Sequence, residues 1–144
     1  METVNLILQS KGTAVWSVAP HTSVYEALEL MAQKDIGAVL VMDGDRLAGI
    51  FSERDYARKL ALQGRSSQET PVREVMTSEV YTVRPGQSTD ECMALMTDRH
   101  VRHLPVVDQG KVIGVISIGD VVKAIISKQE FHIEQLENYI YGKR

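Results

Sequence analysis

Two serine–aspartate pairs carry the most suggestive spacing in the chain. Ser52 precedes Asp55 and Ser117 precedes Asp120, each pair directly following a glycine-led apolar run, Gly49-Ile50-Phe51 or Gly114-Val115-Ile116. An ionised carboxylate accepts hydrogen bonds from two vicinal hydroxyls at once, and its charge makes those bonds stronger than neutral ones. A serine hydroxyl and the free N–H groups of a helix start suit a phosphate. The same S-x-x-D spacing also makes a capping box, in which the serine caps a helix and the acid bonds back. The two uses are compatible, because a carboxylate has two oxygens. Arg54 and Arg58 follow Ser52 one helical turn apart, placed to converge on an anion at that helix start, whereas Gly119 and Lys123 hold those places after Ser117.

Catalysis has far less to build on. His21, His100, His103 and His132 are scattered, without metal-ligand spacing. Cys92 falls on an apolar helical face, where inert packing is expected rather than a nucleophile. There is no glycine-rich phosphate loop ending in Lys-Ser or Lys-Thr, and no second acid placed to hold Mg²⁺. The expectation is a non-enzyme with no catalytic residues, no catalytic cofactor and no metal site.

Composition narrows the class further. The 144 residues carry a formal charge of −3, with 44% hydrophobic and 24% charged side chains, as in an ordinary soluble domain or two small ones. A single cysteine excludes a disulfide framework and fits a reducing compartment. No apolar run approaches the roughly 20 residues of a bilayer span, and the first residues do not read as a secretory signal. The mildly acidic balance leaves no footprint for nucleic acid. A cytoplasmic protein with neither nucleic-acid nor membrane partners is expected.

The candidate residues sit in a chain that repeats itself. Residues 15–60 align without a gap on 80–125, an offset of 65 that pairs Val18 with Val83, Pro20 with Pro85, Gly49 with Gly114 and Asp55 with Asp120. In each copy Ser23 with Glu26, or Ser88 with Glu91, forms a capping box that opens a helix. Val24, Ala27, Leu28 and Met31 then make one apolar stripe, continued in the second copy by Cys92, Met93, Leu95 and Met96. Short apolar runs at 38–42 and 104–107 read as buried strands, the segments 43–45 and 108–110 as turns, and 47–51 and 112–116 as second strands. Ser52 or Ser117 then caps a second helix.

The expected fold is therefore α/β, two intertwined β-α-β-β-α repeats packed face to face about a pseudo-twofold axis. Residues 1–68 form the first repeat with its lead-in, 69–128 the second repeat, and 129–144 a C-terminal helical extension. Between the copies, Thr70 is expected to cap a short helix with Pro71 in its first position, and residues 3–8 look like the counterpart ahead of the first copy. Phe131, Leu136, Tyr139 and Ile140 share a stripe on the extension, to be covered by its own domain or by a second subunit.

The segments 49–55, 114–120 and 102–108 resemble the cystathionine-β-synthase (CBS) domain, and the tandem copies resemble a stand-alone CBS pair, or Bateman module. The resemblance covers the chain apart from the C-terminal helix. It implies a regulatory module that binds adenosine-containing nucleotides (AMP, ADP, ATP or NAD(H)) in clefts between the repeats, with S-adenosylmethionine as a further candidate. It implies that Asp55 and Asp120 hold ribose, that Ser52 and Ser117 touch phosphate, and that Arg102 and His103 reach phosphates.

By the same resemblance Thr13, Ala14, Trp16, Ile36, Gly37, Ala38, Val115 and Ser117 line the Asp120 cleft. Ile50, Ser52, Ser78, Val80, Tyr81, Val101, Arg102 and His103 line the Asp55 cleft. Small residues keep the first cleft roomy and cations charge the second, so the two should differ in preference. Trp16 and Tyr81 are either base-stacking residues or core aromatics. Ligand occupancy is expected to bias the conformation of the pair and so the activity of an unidentified regulated partner, with homodimerisation into a four-domain disc. The alternatives are a dimerisation module whose clefts have lost their ligand and, with little support from the residues, an enzyme.

Overall fold

A computed structural model describes residues 2–141. The chain forms two compact units, Val15–Tyr81 and Met1–Ala14 together with Thr82–Arg144. The lead-in, counted by sequence position with the first repeat, thus belongs in space with the second. Its residues form helix α1 (Val4–Lys11), which buries Val4, Ile7 and Leu8. The N–H groups of Val4 and Asn5 donate to the carbonyls of Gln87 and Pro85, both at 2.9 Å. Apolar burial and these bonds together hold α1 on the second repeat.

In the unit Val15–Tyr81, β1 (Ser17–Val18) is followed by α2 (Val24–Lys34), β2 (Ala38–Asp43) and β3 (Arg46–Ser52). The Ser23 hydroxyl accepts from the Glu26 N–H, but the return bond that would complete a capping box does not form there. β2 runs parallel to β1 and antiparallel to β3, in the order β1-β2-β3. Val24, Ala27 and Met31 of α2 pack on Val39, Val41 and Phe51, as the apolar stripe requires. After β3 comes a short α3 (Glu53–Tyr56), which widens into a π turn over Ala57–Ala61. The inter-repeat segment gives only a 3₁₀ turn, Val72–Glu74, preceded by Pro71 and without a side-chain cap from Thr70. Thr70 Oγ1 instead donates to the Ser66 carbonyl at 2.6 Å, so its hydroxyl closes the preceding turn.

The other unit repeats the plan. The first strand shrinks to one parallel bridge, Val83 to Val106. α4 (Thr89–Arg99) starts with a complete capping box between Ser88 and Glu91. β4 (His103–Asp108) and β5 (Lys111–Ser117) pair antiparallel, with an irregularity at Val106/Val107 where the first copy has one at Val41/Met42. α5 (Ile118–Tyr141) runs unbroken through 24 residues, so the expected extension continues the second helix. α4 and α1 both pack against it.

Candidate functional site

Both S-x-x-D motifs sit where a strand hands over to a helix, and both form the capping box. Ser52 N donates to Asp55 Oδ2 at 3.0 Å and Asp55 N donates to Ser52 Oγ at 3.2 Å. The second copy matches it, with Ser117 N to Asp120 Oδ2 at 2.8 Å and Asp120 N to Ser117 Oγ at 3.2 Å. What the remaining lone pairs do separates the copies.

Asp55 is spent internally. Its Oδ2 also accepts the Ser52 hydroxyl at 3.0 Å, while Oδ1 accepts Thr77 Oγ1 at 3.0 Å and pairs with Lys59 Nζ at 3.1 Å. The residue is only 8% exposed. Asp120 is different. Its side chain is 22% exposed, and Lys11 Nζ lies 2.6 Å from Oδ2. Among the described residues no hydrogen bond reaches Asp120 Oδ1. Lys11 also donates to the Val115 carbonyl at 2.9 Å. Burial pushes the Asp120 carboxyl up, but hydrogen bonds from Lys11 and Ser117 outweigh it and hold the group below its ordinary value. It is an anion at neutral pH.

The unit that holds Asp120 also holds Thr13, Ala14, Val101, Arg102, His103, Val115 and Ser117. His103 opens β4 directly opposite Ser117. Burial lowers its pKa, the charges of Lys11 and Arg102 act in the same direction, and Asp120 opposes them. Arg102 is exposed, and its carbonyl accepts the Ile118 N–H at 2.8 Å. Thr13 and Ala14 are exposed just beyond α1, and Val101 and Val115 are half-buried.

The unit that holds Asp55 carries Trp16, Ile36, Gly37, Ala38, Ile50, Ser52, Arg54, Arg58, Ser78, Val80 and Tyr81. Ile36, Gly37 and Ala38 are half-buried between α2 and β2, and the Gly37 carbonyl accepts the Glu53 N–H at 3.0 Å. Ile50 exchanges two backbone hydrogen bonds with Thr77, at 3.0 and 2.8 Å. Ser78 is exposed and Val80 half-buried; Tyr81, also half-buried, donates its hydroxyl to Glu79 Oε1 at 3.1 Å. Trp16 is no core aromatic. It is 39% exposed, and Lys34 Nζ lies 4.3 Å from its ring centroid.

Arg54 and Arg58 are both exposed. Arg58 lies in the π turn, and Lys59 beside it reaches back to Asp55. An Asp-to-Lys interval of four residues was a legible signal for that pair. Lys11 and Thr77 carried no such signal, because each comes from a segment distant in sequence from its acid. Cys92 is fully buried, and burial, helped by the Glu91 charge, pushes its thiol up to about 11. A packed, protonated thiol suits the inert role. Among the described residues no group of three or more His, Cys, Asp or Glu is placed to hold a metal, and no helix is long and apolar enough to cross a membrane.

Fold and strand-end motifs together define a class of paired α/β repeats, and comparison with known proteins names it. Residues 12–62 and 72–127 each match the CBS domain. The mitochondrial CBS domain-containing protein CBSX3 of Arabidopsis thaliana is 39% identical over 97% of this chain and 72% of its own length. A solved structure from Burkholderia ambifaria, described as a signal-transduction protein with CBS domains, is 58% identical with a TM-score of 0.85, covering 88% of this chain and 96% of that one. A CBS domain pair solved with 5′-methylthioadenosine and S-adenosyl-L-methionine shares the fold at 23% identity and a TM-score of 0.78, covering 89% and 98%. The chain belongs to the CBS domain family and carries the domain in tandem.

Proposed function

We propose that this chain is a non-catalytic sensor that binds an adenosine-containing nucleotide (AMP, ADP, ATP or NAD(H)) with its ribose on Asp120, and that occupancy alters its conformation or the activity of a regulated protein. One observation carries the reading: Asp120 is ionised, partly exposed and has a carboxylate oxygen that no described residue hydrogen-bonds, whereas both oxygens of the nearly buried Asp55 are engaged by Ser52, Thr77 and Lys59. Val115 and Ser117 supply polar backbone and hydroxyl groups beside it, and Arg102 and His103, expected from the sequence at the Asp55 cleft, lie in the unit of Asp120, with His103 opposite Ser117, and offer it cationic and imidazole groups for phosphate. The methylthioadenosine complex supports the reading at the level of the fold, which accepts adenosine compounds in that protein. Regulatory CBS proteins among the relatives support a role other than catalysis.

The test is a thermal-shift titration of the full chain with AMP, ADP, ATP and NAD(H). Ligand at a hundred times its Kd stabilises by about 2.7 kcal/mol, a rise of roughly 9 °C for a chain of this size. Asp120→Asn, which removes the charge and keeps the shape, should abolish the rise. A melting temperature unmoved by every adenosine compound would overturn the reading and favour the ligand-free dimerisation module.

Self-association is part of the same proposal. α5 exposes Ile133, Leu136 and Ile140 on one stripe of its second half, which a second copy would cover. We place the protein in the cytoplasm; an address like that of the mitochondrial Arabidopsis relative is the competing one, and cell fractionation separates them.

A further inference from the structure

We propose that Lys11 sets the ligand specificity of the Asp120 site by selecting adenosine compounds that carry a phosphate over those that do not. This inference rests on the adenosine reading given above. Lys11 Nζ bonds at once to Asp120 Oδ2, 2.6 Å away, and to the Val115 carbonyl, 2.9 Å away. Those are the acceptors that a ribose hydroxyl and an adenine amino group would use. A ligand donating to them competes with the ammonium, and the ammonium then needs a new partner. A phosphate provides one. A neutral nucleoside provides none, so the displaced ammonium exchanges a carboxylate partner for water alone.

The sister unit shows that this arrangement is particular to Lys11. There Thr77 does both jobs, its backbone N–H donating to the Ile50 carbonyl at 2.8 Å and its hydroxyl to Asp55 Oδ1 at 3.0 Å. A backbone amide fixed in that pairing cannot follow a ligand, and the Thr77 hydroxyl, one carbon from the backbone, can only turn about its Cα–Cβ bond. Lys11 reaches the equivalent acceptors from the last turn of α1 through a flexible four-carbon stem, and its side chain is 37% exposed. Its head group can therefore leave Asp120 and follow an anion while α1 stays in place. The two repeats thus present one sealed acid and one that a movable cation guards.

Isothermal titration of the full chain with adenosine and with AMP tests the proposal, the readout being the ratio of their dissociation constants. Wild type is expected to prefer AMP. Lys11→Met should reduce that preference roughly tenfold or more, the scale of one charge-assisted hydrogen bond. Lys11→Arg, which keeps the charge, should preserve it to within a few-fold. An unchanged ratio in Lys11→Met overturns the proposal while leaving the adenosine reading standing, and so does a wild type without preference. A wild type that binds neither compound overturns this proposal before any variant is made, and overturns the adenosine reading as well only if ADP, ATP and NAD(H) also leave the melting temperature unmoved.

Discussion

Asp55 and Asp120 occupy equivalent positions, yet their hydrogen-bond partners differ. Asp55 accepts from Ser52, Thr77 and Lys59 in a nearly closed pocket, so its charge is a structural cross-link. Asp55→Ala leaves those donors without an acceptor, and urea unfolding should show a loss of about 1–3 kcal/mol. A variant as stable as wild type would contradict this. His103 gives a second residue-scale expectation. Its folded pKa lies below the unfolded value near 6.5 because burial, Lys11 and Arg102 disfavour the charged ring against the pull of Asp120. The unfolded state therefore binds more protons, and stability falls as pH drops through about 6.5 toward the folded value. Asp120, whose folded pKa is depressed, loses its contribution only at lower, acidic pH. Denaturation midpoints measured from pH 7.5 to 5.5 should fall for wild type and fall less for His103→Asn; equal slopes would remove His103 from the account.

At the scale of elements, the segment ahead of each repeat lies against a glycine of a second strand. A Cβ on Gly49 of β3 would meet Met76 Sδ at 2.6 Å and the Thr77 carbonyl oxygen at 2.8 Å. A Cβ on Gly114 of β5 would meet Leu8 Cδ2 at 2.7 Å. The first neighbour includes backbone that already bonds to Ile50, whereas the second is the tip of one leucine that can turn. Gly49→Ala should therefore destabilise by about 1–3 kcal/mol, in the range of overpacked cores, and Gly114→Ala by less. Chemical denaturation of the two variants checks the order. The reverse order would mean that α1 is held more rigidly than the 3₁₀ turn.

For the whole molecule, α5 is the feature that asks for company. Tyr139 is 88% exposed, and Phe131, Ile133, Leu136 and Ile140 are exposed with it. Covering such a face removes apolar area from water at about 25 cal/mol per Å². Light scattering on the full chain should report a dimer or larger assembly, and Leu136→Glu with Ile140→Glu should shift it toward monomer. A wild-type monomer at the same concentration would leave α5 out of self-association.

Local signals in the sequence determined much of this protein. The stripe of Val24, Ala27 and Met31, the serine caps and the apolar strands are consequences of neighbours within a few residues, and each forms where its pattern stands in both copies of the repeat. The two S-x-x-D motifs were legible for the same reason, down to their capping bonds. Where local competition was close, the structure departs from the pattern: the Thr70 hydroxyl bonds to Ser66 instead of capping, and a π turn replaces regular helix after Tyr56. Only tertiary structure decided that the lead-in joins the second repeat and the linker the first. That choice brings Lys11 to Asp120 and Thr77 to Asp55 across separations of 109 and 22 residues. Hydrogen bonds between such distant groups depend on the folded path of the chain, and periodicity within a segment carries no record of that path.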